Sequence, residues 1–398
     1  MEYINTTFAH GNGPYSRCVE WAIEVNNVRE ERKLERLPIV VPNVYGERQK
    51  KIMKEEIEGH ISDTFFEEHP DEIWFDSVQG NLLMSLMFNS SDYSENLETL
   101  ALEYGNVENK MKRHLDGERR LECFVNLEIR NFDMRNCKLQ LGLNNRIQTG
   151  LPNQFYVSGG AGPFDEVLER AVEDDKININ RNVVTKILPI ARRMIENQKI
   201  IFSNEPGVFS YDDNRLARDN EEGTPPFIHS PKYDDTPLTK KGIYFLATGI
   251  DGIRESGIYD TISEFGLQVY VAKFSMNGLP DSVRLEAIEL APSKINNPNI
   301  VAQYARAGWS EVWLSHLTGK GFLTSPYQDK DDPEIKFNNK GIEKYGLGVI
   351  VGKNPKEDLD KAIKLASKVG EYNRSLLTRY GTLDGIRYAA ERVVNVLD

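Results

Sequence analysis

The sequence predicts an α/β protein of two domains, each a parallel sheet covered by helices. Three observations lead there. The chain has 398 residues, whereas a single core stops growing at roughly 250 to 300 residues. Its opening reads strand, turn, helix, strand: an apolar run from Tyr3, a turn cluster His10-Gly11-Asn12-Gly13-Pro14, then a second run at Pro38-Ile39-Val40-Val41. The same plan restarts at Ile243 with no detectable sequence repeat, which is how alternating β and α units build parallel sheets.

Each element follows from its local pattern. After Tyr15, apolar Cys18, Val19, Ala22, Val25 and Val28 recur at helical spacing and end in the charged stretch Arg29 to Lys33, a solvated helix end. Further strands are expected at Glu72 to Val78, Phe124 to Ile129 and Gln154 to Ser158, and Ser158 to Pro163 reads as a glycine-rich loop. The amphipathic segment Val183 to Glu196 precedes Ile200 to Ser203, read as the last strand of the first domain. Tyr211 to Lys241 is rich in Asp, Pro, Lys and Thr and reads as a linker. The second domain is expected to place strands at Ile243 to Thr248, Val269 to Ala272, Glu286 to Leu290, Ile300 to Tyr304, Gly321 to Thr324 and Leu347 to Val351. The predicted division is residues 1–235, residues 236–372, and a C-terminal helix in 373–398 that packs back towards the first domain through Ile386, Ala389, Ala390, Val393 and Leu397.

Composition removes several classes. Hydrophobic residues make up 39% and charged residues 28%, values that support a folded core and argue against disorder. A net charge of −12 lacks the basic surface that neutralises nucleic-acid phosphates. Met1 to Asn5 shows neither a basic nor an apolar leader pattern, and no stretch approaches the roughly 20 apolar residues of a membrane span. The three cysteines, Cys18, Cys123 and Cys137, lack metal-ligand spacing. These features lead to the expectation of a cytoplasmic protein, with peripheral contact at a membrane surface left open.

The chemistry is concentrated at Ala305-Arg306-Ala307-Gly308-Trp309-Ser310, which reads as a strand end, a glycine turn and a helix start, followed by a strand ending at Pro326. Small residues at such a turn let a diphosphate approach the backbone, while free N–H groups and the positive helix end stabilise its charge. Gly308 can equally be a plain strand terminator with Trp309 and Trp313 as core aromatics. Context favours the binding site: Glu334, Asn338, Asn339 and Gly346-Leu347-Gly348 follow at the mouth of the same sheet, where open α/β sheets hold ligands.

In order and spacing these residues resemble glycosyltransferases of the GT-B fold, two Rossmann-like domains, among them the UDP-glycosyltransferases and the bacterial N-acetylglucosaminyltransferase that forms lipid II. Arg306-Ala307-Gly308 is similar to that family's Arg-Ser/Ala-Gly turn and Trp309 to the aromatic of its His-Gly-Gly-Trp version. Gly249-Ile250-Asp251-Gly252 resembles the turn opening the donor domain, and Gly11-Asn12-Gly13 the turn opening the acceptor domain. The clearest similarity covers residues 242 to 352. The resemblance implies sugar transfer from a nucleotide-diphosphate donor such as a UDP-sugar to an acceptor hydroxyl, with inversion. It implies donor contacts from Gly249, Arg306, Gly308, Trp309, Ser310, Glu334 and Asn338, without a metal and with no cofactor beyond the nucleotide sugar as co-substrate. One departure is Leu314, standing where the family has a ribose-binding Glu; Glu311 lies one turn earlier. A nucleotide-sugar 2-epimerase of the same fold and a non-catalytic nucleotide-sugar-binding subunit are the alternatives.

Weaker signals complete the reading. Gly11-x-Gly13 lacks the third glycine and the ribose acid of a dinucleotide fingerprint. Asp329-Lys330-Asp331 spells a metal-binding Asp-x-Asp but reads as a solvated loop in so acidic a chain. His10, at the end of the first strand beside the glycine turn, is a candidate general base, with Asp76 in reserve at the end of another first-domain strand. His229 and His316 receive no role.

Overall fold

A computed structural model describes residues 1–7, 12–44, 46–87, 90, 92–143, 155–160, 162–246 and 257–398. The predicted residues His10, Gly11 and Gly249 to Gly252 lie outside that set. The described strands are β1 (Tyr3–Thr6), β2 (Ile39–Pro42), β3 (Ile73–Asp76), β4 (Glu118–Cys123), β5 (Ile129–Asp133), β6 (Cys137–Leu143), β7 (Tyr156–Gly160), β8 (Ile200–Asn204), β9 (Glu221–Thr224), β10 (Gly242–Leu246), β11 (Gln268–Val271), β12 (Ile288–Glu289), β13 (Ile300–Ala305), β14 (Gly321–Thr324) and β15 (Gly348–Ile350).

They form two sheets, one ordered β5-β4-β3-β2-β1-β6-β7-β8-β9 and the other β12-β11-β10-β13-β14-β15. The first is built on seven successive parallel strands and the second on six, running outward on both sides of the sheet's first strand, so each has a switch point, β1 beside β6 and β10 beside β13. A ligand crevice opens outside the carboxyl ends of the strands at such a point. Every residue of β1, β2, β3, β10 and β14 is buried, as expected of parallel strands covered on both faces. The two halves thus share one doubly wound α/β plan.

Four parts of the first sheet differ from the sequence expectation. Phe124 to Ile129 is mostly the turn of the antiparallel hairpin β4–β5. The apolar alternation there is misleading: Phe124 packs against Phe66 and Phe75, the Asn126 side chain accepts from Glu128 N at 3.0 Å, and Leu127 turns the chain with φ 60°. Ser158 to Gly160 belongs to strand β7 and not to a loop, with Gly159 against the Phe227 ring. The segment read as a linker contains β9, a polar edge strand beside β8 whose Glu221 pairs with Arg215. Strand β6 was not anticipated at all, because Lys138 and Gln140 interrupt its apolar pattern; its Gln140 is nevertheless fully buried.

Two seams join the halves. The last helix, Gly385–Leu397, lies along the helix Asn12–Glu31, burying Ile386, Ala389, Ala390 and Val393, while Arg387 reaches Glu24 at 2.9 Å and Glu31 at 2.5 Å. Its first residue fits only as glycine, since a Cβ at Gly385 would stand 2.4 Å from the carbonyl oxygens of Pro225 and Pro226. The other seam seats the helices Trp309–Leu317 and Pro333–Tyr345 on the chain after β8. Trp313 Nε1 donates to Pro206 O at 2.7 Å, Tyr345 Oη donates to Ser210 O at 2.7 Å, and Phe337 packs against Phe209.

Close backbone packing within the second sheet gives a test of this fold. A Cβ at Gly321, the first residue of β14, would lie 1.9 Å from the backbone oxygen of Ala362 in the covering helix Pro355–Lys364. We expect Gly321→Ala to destabilise the protein by about 1 to 3 kcal/mol, the usual cost of overpacking, read as a lowered thermal midpoint. An unchanged midpoint would contradict this helix–strand contact.

Candidate active site

The site is assembled at the carboxyl edge of the second sheet. Strand β13 ends at Ala305, Arg306 and Ala307 make the turn, and Gly308 opens the helix Trp309–Leu317 with no side-chain cap. The first N–H groups of a helix have no partner within it. A Cβ placed on Gly308 would meet nothing within 4 Å, so the space before this helix start is open. An anion could therefore reach backbone donors and the positive helix end directly.

Arg306 stands beside this start and bonds Asp331 Oδ1 at 2.5 Å. Asp331 also accepts from Gln328 N at 3.1 Å and is buried, so of the Asp329-Lys330-Asp331 triplet only Asp329 and Lys330 form the expected exposed loop. Burial pushes the Asp331 carboxyl above its ordinary value, and the Arg306 guanidinium counters part of that rise. Asp332 caps the helix Pro333–Tyr345 by accepting from Glu334 N at 2.9 Å. From that helix the buried Asn338 donates to Ala307 O at 2.7 Å and to Glu334 Oε1 at 3.4 Å, clamping the turn from behind. Trp309 is 3% exposed and stacks with Trp313.

The structure thus brings Arg306, Gly308, Trp309, Ser310, Glu334 and Asn338 around one turn. Ser310 is half-buried in the first helical turn, while Trp309 and Asn338 support the turn from its buried side. No group of three or more His, Cys, Asp or Glu among the described residues is placed to hold a metal ion.

Sequence reasoning missed the polar groups facing this turn from the first half. Arg17 and Glu20 on the helix Asn12–Glu31, and Glu56 and His60 on the helix Gly46–His60, interact electrostatically near Glu311. Glu311 lies in the first turn after Gly308 and accepts from Gln303 Nε2 at 3.0 Å. Burial raises its carboxyl to about 7, Arg17 opposing the rise and the like charge of Glu56 adding to it. Nothing in the linear pattern pairs residue 17 with residue 311; only the spacing of Arg17, Glu20 and Glu24 on one helix face hints at a polar stripe.

Asp76 ends β3 and is buried at 1% exposure. One carboxylate oxygen accepts from Gln79 N at 2.9 Å, capping the next helix, and the other lies 2.6 Å from His114 Nε2. Arg119 Nε donates to His114 Nδ1 at 3.1 Å, which places the imidazole proton on Nε2, facing Asp76. His229 pairs with Asp384 at 2.9 Å, and His316 with Asn373 at 2.7 Å. Both sit in structural contacts of the C-terminal helices.

Comparison with known proteins agrees with this architecture. No protein-family model matches the chain, and no curated protein sequence matches it. Solved structures do. The glycosyltransferase SnogD from Streptomyces nogalater matches with a TM-score of 0.54 at 8% identity, over 100% of this chain and 99% of that one. A UDP-glucosyltransferase from Polygonum tinctorium capable of glucosylating indoxyl matches with a TM-score of 0.60 at 9% identity, over 100% and 98%. LpCGTa, solved in complex with UDP, matches with a TM-score of 0.56 at 10% identity, over 100% and 99%. The chain has the two-domain GT-B fold that these glycosyltransferases share. No helix among its described residues is long and apolar enough to cross a membrane.

The raised Glu311 carboxyl gives a pH prediction. An acid whose value climbs on folding, here from about 4.3 to about 7, holds more protons folded than unfolded in that window. Stability therefore falls as pH rises through it. Glu311→Gln should raise the thermal midpoint at pH 8, by about 1 °C for each kcal/mol relieved in a chain of this length, and the gain should vanish near pH 4. An equal shift at both pH values would show that Glu311 ionisation is not the cause.

Proposed function

We propose that this chain is a metal-independent glycosyltransferase, a hexosyltransferase that moves a sugar with inversion from a nucleotide-diphosphate donor, a UDP-sugar, to an acceptor hydroxyl. The observation that carries the reading is the open, uncapped helix start after Gly308, at the carboxyl edge of β13 and beside Arg306. Support comes from the shared fold: the matching structures are glycosyltransferases, one of them solved with UDP.

In this reading residues 236–372 hold the donor and residues 1–235 the acceptor. The diphosphate lies on the helix start, where backbone N–H groups and the dipole stabilise the charge that grows as the leaving group departs. Arg306 turns from Asp331 towards a phosphate oxygen, a bidentate exchange that guanidinium geometry allows. A neutral Glu311 in the first turn removes a repulsion that an ionised one would impose on the phosphates. His10 takes the proton of the acceptor hydroxyl, whose oxygen attacks the anomeric carbon from the face opposite the diphosphate.

A nucleoside diphosphate should bind without acceptor. UDP at 100 times its dissociation constant should stabilise the protein by about 2.7 kcal/mol, seen as a raised thermal midpoint, and transfer should continue in EDTA. Absence of any shift with nucleoside diphosphates would remove the donor assignment. Loss of turnover in EDTA, restored by manganese or magnesium, would replace the helix start with a metal.

The base assignment is tested by substitution. His10→Ala should lower kcat at least about 10²-fold, the usual contribution of general-base catalysis, while UDP affinity stays within twofold. An active His10→Ala enzyme with an inactive but folded Asp76→Ala enzyme would move the base to Asp76.

A further inference from the structure

The helix Pro333–Tyr345 stands between the two domains and shows each a different face. Towards the turn at Gly308 it presents Asn338, whose side chain donates to Ala307 O at 2.7 Å, and Gly341, where a Cβ would lie 3.4 Å from the Trp309 ring. Towards the first domain it presents Lys336, Lys340 and Lys344, whose spacing of four aligns them along one side of a helix. Lys336 Nζ donates to Asp174 Oδ1 at 2.6 Å, and Lys340 Nζ lies 3.5 Å from Asp174 Oδ2. Lys344 Nζ reaches Asp213 Oδ1 at 2.5 Å and Tyr211 O at 3.1 Å.

Asp174 is oriented for this contact by its own segment. It follows the helix Phe164–Glu173, its N–H donates to Arg170 O, and its Oδ1 also accepts from Lys176 N at 3.1 Å. The Lys336 and Asp174 side chains are 15% and 20% exposed, and salt screens such a partly buried pair less than one at the surface. Burial tends to raise the Asp174 carboxyl, but the bonds from Lys336 and Lys176 and the charge of Lys340 hold it below its ordinary value. The pair also lies close to the site. Lys336 stands 5.8 Å from the centre of the Tyr327 ring, and Tyr327 is within electrostatic reach of Asp331 and Arg306.

We propose that Asp174 of the first domain is a positioning residue for the donor site of the second: by anchoring Lys336 and Lys340 it holds the helix Pro333–Tyr345 against the turn Arg306-Ala307-Gly308. The inference rests on the donor reading above. The carboxylate acts through Lys336 and then Asn338, on opposite sides of one rigid helix. The sign of its effect sets this role apart from simple electrostatics. A negative charge near a diphosphate opposes binding by Coulomb repulsion, so its removal by charge alone would tighten the nucleotide, whereas loss of the tie loosens the turn and weakens it.

The experiment is titration calorimetry of the full chain with UDP, together with amide hydrogen exchange of the unliganded protein, for the wild type, Asp174→Asn and Asp174→Glu, each checked for folding by circular dichroism. Asp174→Asn should weaken UDP binding at least about threefold, within what a partly exposed ion pair contributes, and should speed exchange across Ala305 to Val312. Asp174→Glu keeps the charge and should stay within twofold of wild type in both readouts. Folded Asp174→Asn protein that binds UDP as well as wild type or more tightly, or whose exchange at the turn is unchanged, overturns the role and leaves the donor reading standing. An equal loss in Asp174→Glu overturns it too. A wild type that binds no UDP overturns the donor reading and this role with it. Should Asp174→Asn fail to fold, Lys336→Met is judged by the same two readouts.

Discussion

The indole of Trp313 reaches out of its own domain and donates to the carbonyl of Pro206, just after the last central strand of the other. Around that bond the rings of Trp309, Trp313, Phe337 and Phe209 close into one apolar seam that is continuous with the core of the first sheet. Fully burying a side chain of this size contributes roughly 1.5 to 3 kcal/mol, so the seam is a substantial share of a net stability that is itself about 5 to 15 kcal/mol. Its functional effect follows from helix rigidity. The residue that makes the bond lies five positions beyond Gly308, little more than one turn, so fixing Trp313 fixes the helix start and sets it opposite Arg17 and Glu56.

Electrostatics at that helix start run against the composition. The chain has net charge −12, and the first turn itself carries Glu311. The structure keeps negative charge away from the open space in two ways. Asp331 is tied to Arg306, and Glu311 sits where burial raises its carboxyl to about 7, so a large fraction of it is neutral at neutral pH. A screened surface carboxylate would have done neither.

Several features were readable from the residues alone because their causes are local. Runs such as Ile39-Val40-Val41 and Ile243-Tyr244-Phe245 are strands buried on both faces, and glycine turns mark where they end. The turn Arg306-Ala307-Gly308 announced itself by the small residues between a strand and a helix. Where the pattern failed, a distant contact had overridden it. Strand β6 is central although Gln140 interrupts its apolar run, β9 is a strand although its sequence is Glu-Glu-Gly-Thr, and Asp331 is buried although it belongs to an acidic triplet.

The sequence by itself therefore determined the two-domain α/β plan and the position of the glycine turn between β13 and the helix Trp309–Leu317, since periodicity, glycine placement and strand ends depend on neighbours within a few residues. Only the tertiary structure decided what faces that turn. Arg17, Glu56, Gln303 and Glu311 come from three helices and a strand separated by hundreds of residues, and Asp76 meets His114 across 38 positions. The raised carboxyl of Glu311 arises from desolvation, which exists only once elements far apart in the chain have packed together.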